Sequence, residues 1–122
     1  MSIQNVTTYS VLVARLVGEL RRAHNLDQKR FAEELGVSQS TWSRAENGQV
    51  GMSLDQLAAA ANVFGVKPAQ ILTQAEAAIE QLKRRGVTVL VGKAAAKDDQ
   101  SFAYLGAAAL GALVAAILAK GK

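Results

Sequence analysis

The sequence predicts an all-α fold: a bundle of five short helices, then a short extended segment, then an apolar C-terminal helix. Three observations predict it. Apolar residues recur at three- and four-residue steps between residues 11 and 85, the period of helices that bury one face. Residues suited to starting or stopping helices punctuate that stretch at Ser10, Gly36, Ser38, Gly48, Ser53, Gly65 and Pro68. From Phe102 to Ala119 the chain then runs eighteen residues without a charge. The boundaries that follow are 1–86 for the bundle, 87–101 for an extended segment and polar linker, and 102–119 for the apolar helix.

The first helix is expected over 11–24, capped by Ser10. Val13, Leu16, Val17 and Leu20 make one buried stripe, and Arg15, Glu19 and Arg22 face away from it. Arg21 and Arg22 suit the negative end of the helix dipole, and Arg22 is within reach of a phosphate as well. His24 stands without a cysteine, histidine or carboxylate cluster around it and reads as a solvated helix-end residue.

From Gln28 to Gly48, QKRFAEELGVSQSTWSRAENG reads as two short helices broken by a tight turn. Phe31, Leu35, Val37 and Trp42 supply the inward positions. Ala32 and Ala45 are small where steeply crossed helices come close. Gly36 takes the corner, where φ > 0 is needed, and Ser38 caps the second helix. This is the spacing of a helix-turn-helix, whose second helix lies in a DNA major groove. Gln39, Ser40, Ser43, Arg44 and Asn47 are not needed for the apolar face, and several of them share the outward stripe. Gln and Arg can each make paired hydrogen bonds to base edges, so the set reads as a DNA-contacting face. Trp42 is expected in the core and not against a base, because its step is the inward one.

After Gly48, the turn Gln49–Met52 offers backbone amides to phosphates beside the second motif helix. Ser53 caps a fourth helix across Leu54–Phe64, with Leu57, Ala60, Ala61 and Phe64 inward and Gly65 ending it. Pro68 falls in the first turn of a fifth helix, where its missing N–H costs nothing. That helix is expected to reach Lys83–Arg85, with Ile71, Leu72, Ala75, Ile79 and Leu82 on one face.

Residues from about Leu16 to Leu72 resemble the lambda-repressor-like, XRE/Cro family of DNA-binding domains. LDQKRFAEELGVSQSTWSRAENG and SLDQLAAAANVFGVKPAQIL carry the resemblance. It implies a five-helix bundle that binds operator DNA as a homodimer. Carried over by position, Gln28 matches the glutamine that clasps a phosphate, and Gln39, Ser40 and Arg44 match base-reading positions. Ser38, Ser43 and Asn47 lie near the DNA backbone. Arg21 and Glu46 match a pair that the family joins as a salt bridge between the first helix and the recognition helix. Asp27, acidic beside the expected phosphate site, departs from the pattern.

Composition bounds the rest. The net charge of +4 suits a polyanionic partner, yet residues 1–86 hold ten Lys/Arg against eight Asp/Glu, so binding rests on local placement of cations. With no cysteine there is neither disulfide nor thiolate metal site, and no cofactor or metal is expected. The start MSIQNVTTYS lacks a basic, then apolar, leader, and a cytoplasmic protein is expected. No nucleophile–histidine pair or phosphate loop points to an enzyme. Glu33–Glu34 and Asp98–Asp99 are sequence neighbours that point apart on a helix and read as solvated faces.

Beyond Gly86 the composition changes. Val87–Val91 reads as a strand with no partner inside a helical chain. It either pairs with the same segment of a second copy or packs on the bundle as a linker. Residues 93–100 read as a polar connector. As a helix, 102–119 spans about 27 Å, just enough for a hydrocarbon core, and Ala103, Ala107, Gly111, Ala115 and Ala119 line up every four residues. Lys83, Arg84, Arg85, Lys93 and Lys97 put positive charge on the bundle side, which favours an anchor on the cytoplasmic face of the inner membrane over a buried dimerisation helix. Double-stranded DNA is thus the expected partner, bound by a homodimeric regulator, a repressor in kind. The alternative is an adaptor at the membrane, or an antitoxin, that binds a protein partner through the same domain.

Overall fold

The computed structural model describes residues 6–97. The apolar helix expected at 102–119 lies outside them, as does the end of the linker. The chain runs β1 (Val6–Thr8), α1 (Tyr9–Ala23), α2 (Gln28–Leu35), α3 (Gln39–Glu46), α4 (Leu54–Phe64), α5 (Pro68–Arg84), β2 (Thr88–Leu90) and α6 (Gly92–Lys97). The five expected helices are all present and the all-α class holds, with a small two-stranded sheet added to it.

Helix α1 is the central element. It packs against α3, α5 and β1, and every residue from Val11 to Gly18 is buried. That overturns the expectation that Arg15 faces solvent: it is only 5% exposed, because α1 is covered on more than one side. Burial, then the like charge of Arg22, holds the Arg15 guanidinium below its ordinary pKa, while Glu19 and Glu46 partly offset this. Around α1, Phe31, Leu35, Trp42, Leu57, Ile71, Ile79 and Leu82 complete one core. The ring of Phe31 joins the layers, 5.4 Å from Trp42 and 5.5 Å from Phe64 between centroids.

The helix also starts earlier than expected. Thr8 is the N-cap, its hydroxyl accepting the Val11 N–H at 3.2 Å, and Ser10 lies inside the first turn. The cause is β1. Val6–Thr8 pairs in parallel with β2, Val6 opposite Thr88 and Thr8 opposite Leu90, so the chain passes from strand to helix at Thr8. The segment expected at Val87–Val91 therefore has a strand partner within its own chain, contrary to the reading that it had none. Val6, Thr7 and Thr8 are buried, and Val87 joins the core. The outer edge of β2 carries no strand among the described residues. Helix α6 takes in the first part of the expected connector, residues 93–97, where the successive alanines Ala94, Ala95 and Ala96 favour a helix.

Caps set most other boundaries where they were expected. Ser53 and Gln56 form a reciprocal capping box at α4, and Gly65, at φ 73°, ends it. Pro68 opens α5.

Candidate nucleic-acid interface

The motif is built from its turn outward. The Asp27 carboxylate accepts the Arg30 N–H at 3.0 Å and caps α2, which explains an acidic residue at that position. Gly36 ends α2 at φ 78°, a left-handed conformation that a Cβ would strain. Ser38, extended, caps α3 by accepting the Thr41 N–H at 3.1 Å and donates to the Thr41 hydroxyl at 2.9 Å. Helix α3 packs on α1 and α2, with Trp42, Ala45 and Glu46 buried.

The opposite face of α3 is open. Gln39, Ser40, Arg44 and Asn47 are exposed and Ser43 is half-buried. Arg44 extends from the last turn, Nη2 donating to Thr41 Oγ1 at 3.5 Å. Asn47 is the C-cap, and Ser38 and Ser40 have their hydroxyls 3.3 Å apart at the N-terminus.

Beneath that face lies the buried carboxylate of Glu46. Arg21 donates through Nε to Oε2 at 2.6 Å and through Nη2 to Oε1 at 3.1 Å, a two-pronged pairing. The indole N–H of Trp42 donates to Oε2, and Gln28 Nε2 donates to Oε1 at 2.9 Å. Arg22 reaches Oε1 at 3.5 Å and Glu19 at 3.0 Å. Gln28 in turn accepts from Gln39 Nε2 at 3.1 Å. Hydrogen bonds therefore run from the exposed stripe, through Gln28, to a carboxylate held by α1. Arg21 also donates to the Leu26 carbonyl, binding the loop before α2 to the same hub.

A family model described as helix-turn-helix domain matches residues 12–79. The chain belongs to the helix-turn-helix domain family. No curated protein and no solved structure is significantly similar to it. The match spans α1 to α5 almost completely and agrees with the repressor-like resemblance over Leu16–Leu72. A helix-turn-helix domain is a DNA-binding unit, and DNA binding in the service of transcription is the function this membership supports.

The helix-turn-helix domain brings Arg21, Arg22, Gln28, Gln39 and Glu46 into one network, while Ser40, Arg44 and Asn47 stand apart from it on the outer face. Gly36 and Trp42 hold the positions their spacing implied. Gly18 gave no signal. A Cβ on Gly18 would lie 2.8 Å from Glu46 Cγ, so this helix-interior glycine makes room for the carboxylate. Only the three-dimensional crossing of α1 and α3 reveals that. Among the described residues no group of His, Asp or Glu side chains is placed to hold a metal, and no helix is long and apolar enough to cross a membrane.

Proposed function

We propose that the protein is a sequence-specific transcriptional regulator, a repressor, that binds an inverted-repeat operator as a homodimer. The observation that carries this is the exposed stripe of α3 resting on a buried, fully partnered carboxylate. A reading helix must keep its side chains within a few tenths of an ångström of base edges, and a rigid foundation does that. Gln39, Ser40 and Arg44 read bases. Gln28, Ser38, Ser43, Asn47 and Arg22 position the domain on the phosphates, and Arg21, Glu46, Gly36 and Trp42 hold the shape.

Pairing follows from the symmetry of such operators, since two copies of one reading helix need two half-sites. The outer edge of β2 and the exposed Val91 beside it offer a surface for the second copy. The apolar stretch 102–119 tethers the regulator to the membrane, a reading supported by its length and by the cations that precede it. The test of function is a mobility shift of the full-length protein on genomic fragments at two salt concentrations. A regulator retains a subset of fragments at the higher salt, whereas a protein that shifts none at either salt is not one.

A further inference from the structure

Ser10 is not the helix cap its position suggested, and its hydroxyl has another use. It accepts the Met52 N–H at 3.0 Å and donates to the Met52 carbonyl at 3.2 Å, so one side chain at the start of α1 takes both backbone polar groups of a residue 42 positions away. Gly51 adjoins this contact. A Cβ there would lie 1.7 Å from Ser10 Oγ, 2.6 Å from Ser10 Cβ and 3.1 Å from the Ser10 carbonyl carbon. Backbone conformation does not call for glycine at residue 51; close approach does. The loop that leaves α3 is thus clasped to α1 by a reciprocal hydrogen bond and by a missing side chain.

The clasp decides which amides of the loop stay available. Gln49 N–H donates to the Arg44 carbonyl at 2.9 Å, Met52 N–H to Ser10, and Ser53 N–H to Gln56 Oε1 at 2.9 Å. Those of Val50 and Gly51 have no hydrogen-bond partner among the described residues. They lie between the end of α3 and the start of α4, where backbone amides can meet the phosphates flanking a reading helix. Amides held in place before binding give up less freedom when an anion arrives.

We infer that Ser10 and Gly51 are positioning residues that aim the Val50 and Gly51 amides at a DNA phosphate, an inference that rests on the DNA-binding reading. Ser10 acts through Met52 and touches no nucleotide itself. The contribution is independent of base sequence and worth one phosphate contact.

The test uses the full-length protein, Ser10→Ala and Gly51→Ala, with a random-sequence duplex of about two helical turns as probe. Binding is measured between about 50 and 200 mM salt, alongside thermal unfolding and hydrogen exchange at the Met52 amide. Ser10→Ala is expected to quicken Met52 exchange and to weaken binding about three- to tenfold on every sequence. The salt slope should stay that of the unaltered chain, because a neutral amide neutralises no phosphate charge, and unfolding should remain a single cooperative transition. Gly51→Ala should do the same or more. Unchanged affinity in Ser10→Ala, with Met52 exchange quickened, overturns the inference and leaves the DNA reading standing. Unchanged Met52 exchange overturns the clasp itself. If the unaltered protein binds no duplex at the lower salt, the DNA reading fails and takes this inference with it.

Discussion

Glu46 carries the largest single burden among the side chains. A buried carboxylate without partners costs several kcal/mol, and here Arg21, Arg22, Gln28 and Trp42 converge on its two oxygens. Removing the acid while leaving Arg21 part-buried should therefore cost more than the pair itself contributes. Glu46→Ala is expected to lose about 3–5 kcal/mol of stability in denaturant unfolding, and a loss under about 1 kcal/mol would mean the carboxylate is decoration. Arg44 lies exposed on the opposite face, where the proposed function makes it a base reader. Arg44→Ala should lose about 1–3 kcal/mol of discrimination at one base pair while folding normally, as read from binding to single-base variants. Equal weakening on all sequences would make Arg44 a phosphate contact. Phe31, Leu35 and Trp42 were legible in the sequence because a 3.6-residue period points them inward. Arg15 and Gly18 were not, since what buries Arg15 and crowds Gly18 arrives from elements remote in the chain.

Among the elements, those that announce their own ends were readable. Ser38, Ser53 and Pro68 start helices, and Gly36 and Gly65 end them, by local chemistry alone. The N-terminal boundary failed for a reason of scale: Ser10 and Thr8 are both good caps, and the choice between them was made by a parallel strand pairing with residues 88–90, which no local pattern encodes. Tyr9, at the same junction, donates its hydroxyl to Glu76 on α5 at 2.6 Å. That hydrogen bond first, then burial and the negative charge of Glu76, raise the phenol above its ordinary pKa of 10.0. Because the folded state favours the neutral phenol, its contribution is whole below the ordinary value and fades as pH rises through the raised one. Tyr9→Phe should therefore shrink the stability lost above about pH 10, and unfolding midpoints of the two proteins across pH 8 to 11 measure the difference. Parallel alkaline curves would show that the Tyr9–Glu76 link contributes nothing.

At the scale of the molecule, the modest charge of +4 makes placement matter more than total charge, and Gln39, Ser40, Arg44 and Asn47 stand exposed on one face of α3. The bundle was legible because its caps and apolar period agree over some seventy residues. What joins the bundle to 102–119 was not, because β2 folds back onto β1 instead of leading away. If 102–119 anchors the chain, full-length protein stays with the membrane fraction after lysis without detergent, and its release into the soluble fraction removes the tether from the account. The central claim is that the exposed stripe of α3 reads base sequence. Selection of bound sequences from a random DNA pool by the full-length protein tests it most directly. The account predicts an enriched inverted repeat with half-site centres about one helical turn apart. A bound pool with no enriched sequence would contradict it.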